Sequence, residues 1–152
     1  MEAKTRKIKR PLRYRYSALV KRFNHEYVKR DKLFVLVDQY FGPGNILDIG
    51  CSDGGVLSRL TQKHIPFGIE ISSQLAEKAH HYAQSRGGMV FNGNAIDGLG
   101  FFKKGFFEGV IMSSYLEHEI HPTQVLKNTL RMLKPGGALI IKVPNFNSIN
   151  RV

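Results

Sequence analysis

The chain has 152 residues, enough for one domain with a proper core, and its 42% hydrophobic and 23% charged residues make an ordinary globular composition without repeats. A single cysteine excludes an internal disulfide, and no apolar stretch approaches the roughly 20 residues of a membrane span. The net charge of +11 is uneven, because residues 1–32 hold twelve Lys/Arg against three acids while the other 120 hold eleven against nine.

Residues 1–16, basic and interrupted by Pro11, read as an extended arm without the apolar core of a secretory signal, so a soluble cytoplasmic protein is expected. With Tyr14, Tyr16 and Phe23 interleaved, the basic residues of 1–32 suit nucleic acid or an anionic surface. A solvated basic tail running into a helix that packs on the sheet is the preferred reading, because the charge run carries no recognised recognition motif. Residues 17–152 read as one domain, opening with a leading helix over 17–41. Ser17 is its expected N-cap, and Leu19, Val20, Phe23, Tyr27, Leu33, Val37 and Tyr40 form its apolar stripe. Gly42-Pro43-Gly44 ends that helix, and the core follows over 45–143.

Ile46–Gly50 predicts the first strand, and Asp53–His64 the first core helix with Val56, Leu57 and Leu60 inward. Pro66 opens a second strand, Phe67–Ile71. Ser72 or Ser73 caps a second helix to about Arg86, ended by Gly87-Gly88, with His80 and His81 on its surface. Met89–Asn92 is a short third strand, and Gly98, Gly100 and Gly105 make 95–105 a connection rather than a long helix. Phe106–Ser113 is the fourth strand, apolar but for Glu108 and its last residue, as suits a strand buried on both faces. Pro122 opens a helix with Val125, Leu126, Leu130 and Leu133 inward, ending at Pro135-Gly136-Gly137, and Ala138–Val143 is the fifth strand. Strands alternating with helices give an α/β fold, a doubly wound parallel sheet with right-handed crossovers.

The turn after the first strand, Leu47-Asp48-Ile49-Gly50-Cys51-Ser52-Asp53-Gly54-Gly55, carries the most information. A dinucleotide phosphate wants bare glycines at a helix N-terminus. Asp48 puts a carboxylate there instead, which suits a ligand with a local positive charge such as an α-ammonium. Cys51 reads as a small residue packed in the turn, with a reactive thiol as the lesser alternative. Glu70 ends the second strand 20 residues after Gly50, where an acid can accept both ribose hydroxyls, and Ile71 can cover a face of adenine.

This turn resembles motif I of class I S-adenosylmethionine-dependent methyltransferases, acid-x-Gly-x-Gly-x-Gly, with Ser52 in place of the middle glycine. Glu70 and Ile71 match motif II. Gly93-Asn94-Ala95 stands where the family places an acid beside an adenine-binding amide, so Asn94 would accept through its carbonyl oxygen or serve as a turn residue. Ser113-Ser114-Tyr115-Leu116-Glu117-His118 is similar to the Leu-Glu-His region of the small-molecule enzymes, among them ubiquinone-biosynthesis O-methyltransferases and MetW-like proteins. Leu133-Lys134-Pro135-Gly136-Gly137 resembles their usual turn into the fifth strand. The resemblance spans residues 46–145. It implies a Rossmann-like sheet of about five strands in the order 3-2-1-4-5, and S-adenosyl-L-methionine as cofactor.

On that resemblance Asp48, Gly50, Ser52 and Gly54 hold the amino-acid end, Glu70 the ribose and Ile71 with Asn94 the adenine, and Cys51, Ala95 and Ser113 are further cofactor-binding residues. His118 is either the general base or a loop histidine that orients Glu117, and Tyr115 lies near the methyl. Some relatives bind a metal through a Glu at the position of Ser114, so no metal is expected. The family's terminal antiparallel hairpin is missing, which leaves the fifth strand as an edge for a homodimer. The leading function is methyl transfer to a small-molecule acceptor. An RNA or protein acceptor reached by the basic arm, a non-catalytic cofactor-binding domain and an NAD-dependent oxidoreductase are the alternatives, and Asp48 opposes the last.

Overall fold

The computed structural model describes residues 31–144. The basic arm, Ser17 and the first part of the expected leading helix lie outside the described residues, as do residues 145–152. Helix α1 (Lys32–Tyr40) leads to β1 (Gly44–Ile49) and β2 (His64–Glu70), followed by α2 (Ser73–Ser85) and β3 (Met89–Asn92). Then come α3 (Ala95–Phe101), β4 (Phe107–Ser113), α4 (Pro122–Met132) and β5 (Leu133–Lys142). All strand pairs are parallel and the order is β3-β2-β1-β4-β5, the expected doubly wound arrangement.

Alternation along the central strands fills both faces of the sheet. Ile46, Ile111 and Ile140 meet Leu33, Val37 and Phe41 of the leading segment and Ala76, Ala79 and Ala83 of α2 on one side. Leu47, Ile49, Phe67, Ile69, Val110 and Met112 meet Leu99 of α3 and Val125 and Met132 of α4 on the other. Phe67 is the hub of the second face, its ring edge-on to Phe102, Phe106 and Phe107 at centroid distances of 5.3–5.9 Å.

Several expected elements are corrected. The helix over Asp53–His64 does not form, and only a 3-10 turn at Leu57–Arg59 is present. Gly54 has φ +90°, which breaks an α-helix in its first turn, and its bare Cα lies against Ala79 of α2. Leu57 and Leu60 still reach the core from this compact loop. Within the span of the expected leading helix, Asp31 has ψ 124° and caps the start of α1 at Lys32 by accepting from the Leu33 N–H.

The second strand begins at His64 and runs through Pro66; β3 joins it only from Phe67, so the missing proline N–H weakens no β3 pairing. The expected connection 95–105 contains α3, whose start is capped by Asn94. Helix α4 ends at Met132, and β5 already starts at Leu133, with a register irregularity opposite Phe107 and Gly109 accommodating the Pro-Gly-Gly segment. Leu130 is 61% exposed, and Thr129 is buried in its place, its hydroxyl donating to the Val125 carbonyl. His80 is not a free surface residue: its Nδ1 accepts the Val90 N–H and ties α2 to β3.

Candidate functional site

The predicted residues follow the carboxyl ends of β1, β2, β3 and β4, and among them Glu70 and Tyr115 contact the glycine turn. Asp48 is 2% exposed on β1, and no hydrogen bond to its carboxylate is found among the described residues. Burial, with the charge of Glu70 adding to it, pushes its pKa from 3.8 up to about 8. A buried carboxyl without a partner is costly, and a cation delivered by a ligand relieves that cost.

Glu70 is nine-tenths buried and uses both oxygens. Oε2 accepts the Ser52 N–H at 2.9 Å and Oε1 accepts the Ser72 N–H at 2.9 Å, so one carboxylate joins the β1 turn to the exit of β2. Two charge-assisted bonds hold the turn in shape. Gly50 has φ +77° and Ser52 has φ +52°, so the serine adopts the left-handed backbone that the family gives to glycine. Cys51 points into the core: a Cβ on Gly68 of β2 would stand 2.5 Å from its sulfur. Burial, then the nearby Asp48 and Glu70 charges, push the thiol pKa up, which removes the reactive-thiol alternative.

Ile71 is 74% exposed beyond β2, an apolar side chain presented at the rim. Asn92, which the sequence reading passed over, holds this loop: its Nδ2 donates to the Glu70 carbonyl at 2.9 Å and the Ile71 carbonyl at 3.2 Å. Asn94 caps α3 by accepting the Asp97 N–H at 2.9 Å, while its amide donates to the Asp97 carboxylate at 2.7 Å. The oxygen expected at adenine therefore already has a partner, and Asp97 brings an unforeseen carboxylate to the same turn. Ala95 is buried behind it.

Beyond β4, Ser113 is half-buried and Ser114 has φ +55°. The Tyr115 ring lies against Gly50, where a Cβ would stand 2.7 Å from Cδ2. Glu117 and His118 are exposed on a 3-10 turn. Glu119, a residue the Leu-Glu-His pattern does not cover, accepts the Tyr115 hydroxyl and, at 3.0 Å, the His121 N–H. Burial and then Glu119 push the Tyr115 phenol up, while the His121 N–H and Tyr115 hold Glu119 down. The pair is a neutral phenol on a carboxylate. Among the described residues no cluster of three or more His, Cys, Asp or Glu is arranged for a metal, and no helix is long and apolar enough to cross a membrane.

A family of methyltransferase domains matches residues 12–151 of the chain. The chain is 32% identical over 111 residues to the ubiquinone biosynthesis O-methyltransferase of Coxiella burnetii, covering 70% of this chain and 44% of that relative. It therefore spans less than half the length of the curated relatives it matches. Among solved structures it resembles an S-adenosylmethionine-dependent methyltransferase from Thermotoga maritima (28% identity, TM-score 0.57, covering 86% of this chain and 56% of that one). One from Archaeoglobus fulgidus shares the fold at 22% identity, with a TM-score of 0.65 and coverage of 88% of this chain and 59% of that one.

Proposed function

The chain belongs to the methyltransferase domain family, and from that premise we propose that it binds S-adenosyl-L-methionine and directs its methyl group to a small-molecule acceptor in the cytoplasm. Asp48 carries this reading. A buried carboxyl without a protein partner, at the crest of a parallel sheet, fits the α-ammonium of an amino-acid moiety, whose charge would draw it into its ionised form. Gly50 and Gly54 give the turn its bend through their positive φ angles, and the free lone pairs of Glu70 would accept ribose hydroxyls beside the two amides they already hold. Exposed Ile71 would cover one face of the adenine, and Asp97 or the loop backbone its exocyclic amine.

When bound, the cofactor supplies a sulfonium methyl on a good leaving group. What remains for the protein is positioning and proton removal. His118, exposed on the loop after β4, would take a proton from an acceptor entering above the sheet, with Tyr115 beside the glycine turn as the wall of the site. The small-molecule acceptor is supported by the similarity to ubiquinone biosynthesis O-methyltransferases.

Calorimetric titration with S-adenosylhomocysteine tests the reading, with NADH and Glu70→Ala as controls. Saturable binding that is absent for NADH and lost in Glu70→Ala is expected. No binding by a folded chain overturns it.

A further inference from the structure

The loop after β4 contains two glutamates, and the one outside the recognised pattern is the one that engages the site. Glu117 is exposed, whereas Glu119 is half-buried and grips the Tyr115 hydroxyl with one oxygen and the His121 N–H with the other. Tyr115 is fixed from three directions. Its backbone follows the left-handed Ser114, whose N–H donates to the Lys142 carbonyl at 2.8 Å. Its ring rests on Gly50. Its hydroxyl is tied to Glu119.

An aromatic face attracts a cation, and a nearby carboxylate adds attraction of the same sign. Because the ring borders Gly50 and its hydroxyl is bound to the Glu119 carboxylate, two features of one sign lie beside the glycine turn. We propose that Tyr115, positioned by Glu119, makes this site selective for a positively charged sulfonium nucleoside over its neutral thioether product. The inference rests on the cofactor reading above. Tyr115 is the specificity-determining residue and Glu119 the positioning residue that keeps its ring in place. Loss of the positive charge on methyl transfer then weakens the hold on the product, so the same wall that favours loading favours release. A ring-to-cation contact of this kind corresponds to roughly threefold to thirtyfold in relative affinity.

The test is calorimetric titration of the full chain with S-adenosylhomocysteine and with sinefungin, whose amine stands in place of the methylsulfonium and keeps the charge without reacting. The ratio of the two dissociation constants is the readout, which a general loss of stability does not move. The wild-type chain is expected to favour sinefungin by about tenfold, and Tyr115→Leu to bring the ratio close to one. Tyr115→Phe keeps the ring and Glu119→Ala keeps the phenol, and both cut the tie, so both are expected to fall between. These two also serve if Tyr115→Leu fails to fold. A wild-type ratio near one, or a wild-type ratio retained in the variants, overturns the proposal alone. Failure of the folded wild-type chain to bind either ligand overturns the cofactor reading and this proposal with it.

Discussion

Replacing Asp48 with asparagine isolates the electrostatic cost of the site. The folded chain holds the Asp48 proton to about pH 8, while the unfolded chain releases it near 3.8. Between those values the folded state binds one proton more than the unfolded state, so stability falls as pH rises, by about 1.4 kcal/mol per pH unit. By pH 7 the loss is on the order of 4 kcal/mol, an upper limit because any water admitted beside the carboxyl relieves its desolvation. The uncharged amide of the Asp48→Asn variant has no such slope. For a chain of this size about 3 °C of melting temperature accompanies each kcal/mol, so Asp48→Asn is expected to melt roughly 10 °C higher at pH 7, the gap closing toward pH 4. The same change removes a charge-assisted contact of about 1.5–3 kcal/mol, weakening S-adenosylhomocysteine binding by about one to two orders of magnitude. Thermal melts from pH 4 to 9 with parallel calorimetry read both effects. Superimposable pH–melting curves for the two proteins would refute the argument.

Three further outcomes follow from the geometry. His64 is 1% exposed, its Nε2 has no hydrogen-bond partner among the described residues, and burial pulls its pKa below 6.5. The unfolded chain therefore gains a proton first as pH falls below 6.5, stability drops there in the opposite sense to the Asp48 effect, and melts of His64→Gln between pH 6.5 and 5 should show a shallower loss. Ser52→Gly relieves a left-handed serine but loosens the unfolded chain, so denaturant titration should give a change within about 1 kcal/mol, with cofactor affinity retained; a larger destabilisation would mean that the serine side chain does more than tolerate the turn. Gly68→Ala drives a methyl into the Cys51 sulfur and should cost about 2 kcal/mol by the same measurement, with most of it recovered when Cys51→Ala is added. Independent, additive effects of those two substitutions would contradict the contact.

The sheet was legible because its strands are apolar on both faces and punctuated by Gly and Pro, and Met89–Asn92 is read to the residue. Where reading failed, local pattern competed with backbone geometry. Val56, Leu57 and Leu60 have helical spacing, but a positive φ at Gly54 turns their segment into a tight loop that buries both leucines. Asn94 sits where adenine chemistry was expected and is used as a helix cap, a role Asn fills by local hydrogen bonding that no spacing rule separates from ligand binding. Asn92 and Glu119 were missed because each acts on its neighbours' backbone or hydroxyl across a turn, a relation without a period in the sequence. The Asn-x-x-Asp run from Asn94 to Asp97 was the one readable cue, as a cap with an acid in the first helical turn.

The Glu70 clamp has a consequence for the timing of molecular events. Because the β1 turn is already fastened to the exit of β2 through Ser52 and Ser72, the freedom of that loop is surrendered when the chain folds and not when a ligand arrives. Association then needs little rearrangement at this crest and should proceed as rigid docking, fast and with a small ordering entropy. The converse is that anything loosening the pairing of β1 with β2, even far from the crest, will register as a slower and weaker encounter with ligand before it registers as unfolding.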